Sequence, residues 1–250
     1  MSSLLVIALA AAVMALITLV ERRQHRGRTD WLRNLQTWGI DLTFAAALLH
    51  YLPYWQGQTL LDSAALPFWI AFPVFFLVRD AAEFFYHYAQ HRVPMLWAMH
   101  SLHHSDPEMT ALTTNRHFWG DRFVKSLVVW PLTMMIITPS NAMIGLYAVL
   151  GLYNYFTHAN IRVDFGRWSW VLNSPAYHRR HHSRLPEHFD TNFAALLPIF
   201  DVICGTYRRP DGWPPSGQDE APGSISDLVF WPVRGAVRGL GARSDQSASP

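Results

Sequence analysis

The sequence predicts an all-α integral membrane fold: about four to five transmembrane helices with a cytoplasmic helical cap. Three observations predict it. Half of the 250 residues are hydrophobic and 14% are aromatic, while only 15% are charged, against roughly 25% in soluble domains. Apolar runs long enough to approach a membrane span recur along the chain. The thirteen histidines gather mainly beyond the ends of those runs.

Leu4 to Val20 is apolar apart from Thr18, enough for a short span of a hydrocarbon core ~30 Å thick. It meets the basic stretch Glu21-Arg22-Arg23-Gln24-His25-Arg26-Gly27-Arg28. A cleaved signal peptide carries positive charge before its apolar run, and Met1-Ser2-Ser3 has none, so an uncleaved anchor is expected. Further runs lie at about 38–55, 64–78, 123–138 and 142–156. The last two form a hairpin around Pro139-Ser140-Asn141.

Orientation follows from loop charge. The segment after the first run is arginine-rich up to Arg33, while Gln56–Ser63 and the Pro139 turn carry no Lys or Arg. The N-terminus then lies outside, and every histidine cluster lies on the cytoplasmic side. The expected organisation is residues 1–78 as N-terminal spans and basic loop, and 79–209 as the catalytic region with its transmembrane hairpin at about 123–157. Residues 210–250 read as a Pro/Gly/Ser-rich, mobile tail with one interfacial segment at Leu228–Leu240.

Composition also excludes classes. A net charge of +2, with Lys125 the only lysine, offers no basic stripe for nucleic acid. The single Cys204 rules out an intramolecular disulfide framework or a cysteine zinc cluster, so any metal must use other ligands.

Histidine supplies them. Glu83-Phe84-Phe85-Tyr86-His87-Tyr88-Ala89-Gln90-His91 continues the third apolar helix beyond its span. On a helix, residues four apart share a face with Cβ atoms ~5–6 Å apart, so His87 and His91 can chelate one ion or bracket two. His100-Ser101-Leu102-His103-His104 follows, with its three histidines expected on one face. His178-Arg179-Arg180-His181-His182 repeats that spacing, and His158 stands alone in Tyr155-Phe156-Thr157-His158-Ala159-Asn160. One such pair is an ordinary surface feature, but three clusters have few structural explanations. Nine imidazoles exceed one tetrahedral zinc and suit two ions with open positions. Imidazole binds iron, zinc and copper alike, so the residues give a di-metal site more firmly than they give iron.

These motifs resemble the fatty acid hydroxylase and sterol desaturase superfamily of integral-membrane enzymes. The similarity covers roughly Asp80 to Tyr207: the three histidine boxes in order, NYFTHAN before the last, and the closing Asp190-Thr191-Asn192-Phe193 to Gly205-Thr206-Tyr207. It implies a non-haem di-iron site, with zinc as a competitor on isolation, molecular oxygen as oxidant, and hydroxylation or desaturation of a lipid. Carried over residue by residue, it implies ligands at His87, His91, His100, His103, His104, His158, His178, His181 and His182. There are departures. Asn154 stands where some members have a histidine, Ala194 where glycine is frequent, and Phe200-Asp201 where Trp-Asp is usual.

Neutral imidazoles leave metal charge uncompensated, so nearby carboxylates are expected as outer partners. Glu83, Asp80, Asp106, Asp121, Asp190 and Asp201 are candidates, with Asn154 and His117 as possible additional ligands. The aromatics Phe84, Phe85, Tyr86, Trp97 and Trp119 are expected near the mouth of a substrate slot, with core or lipid-facing packing the commoner role for any one of them. Arg92, Arg116, Arg179 and Arg180 are read at lipid phosphates or, equally, as positive-inside charges, and His25 and His188 in solvent. His50 is read as a helix-packing or interfacial residue. The absence of a GxGxxG unit points to a separate electron donor. Two other classes fit less well. A histidine-rich metal transporter places its sites near the bilayer midplane, and a di-zinc hydrolase includes carboxylate ligands.

Overall fold

The computed structural model describes residues 3–24, 31–49 and 57–237, and these are mostly helical. Helices α1 (Ser3–Gln24) and α2 (Trp31–Leu49) precede α3 (Phe68–Arg92), α4 (Pro94–His104), α5 (Trp119–Ile136), α6 (Asn141–Gly151) and α7 (Tyr153–Thr157). Four short helices follow: α8 (Pro175–His181), α9 (Ile199–Cys204), α10 (Ile225–Val229) and α11 (Trp231–Val237). His25, His50 and residues 51–56 lie outside the described residues.

The expected hairpin is present. Ser140 caps α6 by accepting a hydrogen bond from the Met143 amide at 3.3 Å, a standard start signal for a helix. A two-residue parallel pair, β1 (Leu61–Asp62) with β2 (Ile137–Thr138), joins the loop before α3 to the end of α5. The charge-poor loops at 57–63 and Pro139 therefore sit side by side.

Helix α3 packs against α5, and α4 folds back against α3. The reversal is local chemistry. Pro94 occupies the first turn of α4 and Val93 is extended, at φ −96° and ψ 116°, because a residue before proline is driven out of the helical region. The two histidine-bearing helices thus lie side by side.

Large apolar side chains on α3, α5 and α6 face outward, among them Trp69, Leu77, Leu132, Met135 and Val149. So extensive a surface is unusual for a soluble monomer. Among the described residues, no helix is long and apolar enough to cross a membrane.

Part of the expected tail is packed. Leu228 and Trp231 join Met99, Leu102 and Phe118 in a core cluster, and Trp231 Nε1 donates to Ser101 Oγ at 2.8 Å. Pro214 and Ser216 are tied to the last histidine box and to the loop after α4: Arg179 Nε donates to the Pro214 carbonyl at 2.8 Å, and Met109 N to Ser216 Oγ at 3.0 Å. A segment rich in Pro and Gly lacks periodicity but can still be held by a few large side chains. Residues 238–250 lie outside the described part.

Three of the four arginines expected at lipid phosphates are interior. Arg116 is fully buried, with NH1 donating to Asn34 Oδ1 at 2.8 Å. Arg179 and Arg180 are buried too, the latter paired with Asp211. Arg92 alone is exposed, over the Tyr88 ring. Buried guanidinium groups persist only with partners, and sequence spacing does not reveal partners so far away.

Candidate metal centre

All nine histidines named from the boxes and His158 converge. They form two groups, each with one ligating atom per residue within 4.8 Å of the others: His87, His91, His100, His104 and His181, and then His103, His158, His178 and His182. The groups touch, since the His104 and His182 rings stack at 4.2 Å.

The split corrects one expectation. His103 does not share a group with His100 and His104, because one residue on a helix turns the side chain by about 100°. Each HxxHH box gives an i, i+4 pair to one group and its odd histidine to the other. His100 and His104 enter the first group with His181, while His178 and His182 enter the second with His103. Both boxes therefore tie the two groups together.

Main-chain carbonyls set the ring orientations. Nδ1 of His87 donates to the Phe193 carbonyl at 2.6 Å, that of His158 to Asn154 at 2.8 Å, and that of His181 to Thr191 at 2.8 Å. A ring whose Nδ1 holds the proton presents Nε2 as a bare lone pair. Those lone pairs meet. Nε2 of His87 lies 3.1 Å from that of His100, and Nε2 of His158 lies 3.1 Å from that of His103 and 3.0 Å from that of His178. Nitrogens about 2.0–2.1 Å from a shared ion would stand roughly 3 Å apart. The buried Nε2 atoms of His104 and His182 have no hydrogen-bond partner among the described residues. The donor set fits metal ions.

The carbonyls of Phe193 and Thr191 come from the closing segment, whose role is structural. Asp190 and Asn192 are left-handed, at φ 58° and 60°, a conformation that Asp and Asn tolerate better than most residues. Asn192 Oδ1 accepts from Arg208 N at 2.7 Å, and its Nδ2 donates to the Arg208 carbonyl at 2.9 Å. Asp201 accepts from the amides of Phe193 at 2.9 Å and Ala194 at 2.8 Å, from Thr206 Oγ1 at 2.6 Å and from the Tyr177 hydroxyl. The loop that orients His87 and His181 is thereby held at both ends.

The expected carboxylates divide. Asp121 is buried, accepts from Gln90 Nε2 at 2.7 Å, and stands 3.7 Å from His100 Nδ1 and 3.4 Å from His117 Nδ1. Burial pushes its carboxyl up, but the hydrogen bonds from His100 and His117 outweigh that and hold it below the usual range. Asp190 lies 3.5 Å from His91. Glu83 pairs instead with Arg79 at 2.8 Å and with Lys125, Asp80 accepts from Leu197 N at 3.0 Å, and Asp106 binds Asn34 at 2.8 Å.

His117 stacks on His103 at 4.4 Å and forms a third group with His100 and Asp121. The Asn154 side chain donates to Gly151 O at 3.0 Å. Against expectation, His188 is buried, with Nδ1 2.9 Å from Ser183 Oγ. Of the five aromatics, Trp97 lies 4.9 Å from His91 and borders a cavity of 240 Å³ touching His104 and His181. A second cavity, of 430 Å³, touches His87, His100, His103, His158 and His178. Phe84 and Tyr86 are core residues, Phe85 is exposed, and Trp119 stacks on Phe44.

Fold and centre define a helical protein with a buried histidine metal site. The chain belongs to the fatty acid hydroxylase family, whose model matches residues 72–206. It is 31% identical over 160 residues to an alkylglycerol monooxygenase of Danio rerio, covering 63% of this chain and 34% of that protein. It is 28% identical over 135 residues to an ornithine lipid hydroxylase of Rhizobium tropici, covering 54% and 40%. A Δ7-sterol 5(6)-desaturase of Gibberella zeae is 27% identical over 142 residues, covering 57% and 39%. The chain thus spans little more than a third of the length of these relatives. No solved structure matches it.

Two outcomes follow. Burial holds His103, His104 and His182 well below the ordinary imidazole value of 6.5, and lowers His158 to about 3. The folded state refuses protons that the unfolded chain accepts below 6.5, so these groups cost no stability above that pH and destabilise the fold progressively as pH falls below it. Thermal unfolding of chelator-treated protein should fall between about pH 7.5 and about pH 5.5, and a flat profile would contradict the burial. Replacing Asn192 by Ala strains the left-handed position and frees the carbonyls behind His87 and His181. Zinc affinity, measured by chelator competition, should drop roughly 10–100-fold.

Proposed function

We propose that the protein is a membrane-embedded, O2-dependent di-iron enzyme that hydroxylates a lipid. The observation that carries the reading is the pair of touching histidine groups, five and four imidazoles, in a chain of this family. Desaturation on the same site is the second reading, favoured by the likeness to a sterol desaturase.

In this reading His87, His91, His100, His104 and His181 hold one iron ion, and His103, His158, His178 and His182 hold the other. The bound ions supply activation of oxygen and oxidation of an unactivated C–H bond. The protein does the rest. Carbonyls of Phe193, Thr191 and Asn154 hold the rings of His87, His181 and His158 in the ligating tautomer. Asp121 balances charge beside His100 and His117, and Asp190 does so beside His91. His117 and Asn154 border the larger cavity beside the four-histidine group. Burial keeps bulk water from the reacting carbon. Electrons come from a separate reductase or carrier.

The outward apolar faces of α3, α5 and α6 support membrane insertion; in this reading the chain keeps the four to five spans and the organisation 1–78, 79–209 and 210–250 expected from the sequence. The pairing of β1 with β2 supports placing both charge-poor loops on the outer side and the histidine boxes on the cytoplasmic side.

Cells producing the chain should accumulate an oxygenated lipid in mass-spectrometric profiles. Alanine at any of His87, His103, His104, His181 or His182 should abolish it while membrane insertion is kept. Unchanged profiles for all five variants would overturn the site. Sidedness is tested by replacing Cys204 with Ser and placing single cysteines beside Gln58, His104 and Arg184. Only the Gln58 probe should react with an impermeant reagent from outside; probes beside His104 and Arg184 reacting from opposite faces would overturn the span assignment.

A further inference from the structure

The 430 Å³ cavity beside the histidines has a wall poorly suited to a bare hydrocarbon chain. Arg79, Glu83, Gln90, Asp121, Arg122 and Lys125 all line it. Arg79 is buried, its guanidinium 4.6 Å from the Trp130 ring and 5.5 Å from that of Tyr147, with NH2 2.8 Å from Glu83. Glu83 is shared with Lys125. Arg79 Nε and NH1 are buried and have no hydrogen-bond partner among the described residues.

Such donors disfavour contact with hydrocarbon alone and favour an acceptor oxygen. Of the other cations in the lining, Arg122 is paired with Asp41 at 2.8 Å and Lys125 with Glu83, so the donors left over are those of Arg79. An oxygen acceptor, neutral or anionic, fits them better than an ammonium. The reach is set by α3. Arg79, Glu83 and His87 follow one another at four-residue spacing, so Arg79 stands about 12 Å along the helix from His87.

We propose that this cavity seats the oxygen-bearing polar end of the lipid, with Arg79 donating hydrogen bonds to it, so that the oxidised carbon lies near that polar end and not far along the tail. The inference rests on the lipid-oxygenase reading and narrows its substrate class. The other cavity, at His104 and His181, carries apolar surface from Trp97, Phe189 and Trp231, and its two arginines are each held by a carboxylate, Arg184 by Asp219 and Arg234 by Asp227.

Binding separates the inference from that reading, because redox-inert zinc-loaded protein binds without turnover. The full chain in detergent is titrated with 1-O-hexadecylglycerol and with hexadecane, following thermal shift. The glycerol ether should bind at least about tenfold more tightly than hexadecane, a ratio equivalent to one hydrogen bond to a charged group. Arg79→Met, which keeps the stem between the aromatic rings, should erase the difference, and Arg79→Lys should restore part of it. Equal binding of the two probes by the unaltered protein, or a ratio unchanged in Arg79→Met, overturns the inference. Should Arg79→Met fail to fold, the comparison in the unaltered protein decides alone. Failure of the oxygenase reading would show separately, as an absence of oxygenated lipid in cells.

Discussion

A buried neutral imidazole has one N–H to donate and one lone pair to satisfy, and two imidazoles whose lone pairs point at each other satisfy neither. Packing nine such rings favours turning N–H groups outward to acceptors, as at His87, His158 and His181, and lone pairs inward to a shared cation. The surrounding polypeptide can be understood from that requirement. The left-handed Asp190 and Asn192, the carboxylate of Asp201 gathering two amides and two hydroxyls, and the cap of His158 on Asn154 all deliver main-chain oxygens to ring nitrogens. Their cost in backbone strain is offset by hydrogen bonds that Asn192 and Asp201 make with neighbouring strands of loop.

The helices answer the other half of the requirement. A continuous helix from α3 into α4 would carry His87 and His104 about 25 Å apart. The break at Val93-Pro94 reverses the chain and brings His87 and His100 into contact. The HxxHH boxes then use helical periodicity for cross-linking, each placing one ring in the group opposite to its i, i+4 pair. Two histidine groups in contact follow from that spacing.

Much of this was legible in the sequence. The nine histidines stood out because clustering in three boxes has few other causes, and the hairpin was marked by the turn Pro139-Ser140-Asn141. The division of His103 from His100 and His104 was derivable from the 100° turn per residue, yet depended on knowing where the partners lay. Others were not legible. Arg116 looks like a lipid-facing cation until Asn34, 82 positions away, is seen to accept from it, and His188 looks solvent-facing until Ser183 folds against it. The stretch from Leu228 was legible as apolar but read as interfacial, whereas Leu228 and Trp231 complete a core. These are long-range satisfactions of polar or apolar surface, and local pattern carries no information about them.

The same logic connects the outer and inner faces of α3 and α5. Outward, these helices show Trp69, Leu77, Leu132 and Met135. Inward, they hold Arg79, Glu83, Asp121 and Lys125. Charged groups so placed lower the mean apolarity of the helices that bear them, which weakens any test of membrane crossing based on hydropathy alone. On the proposed reading as a lipid enzyme, the surface would suit hydrocarbon while the interior carries a polar metal centre and takes the polar end of the substrate, and both demands would fall on opposite sides of the same two helices.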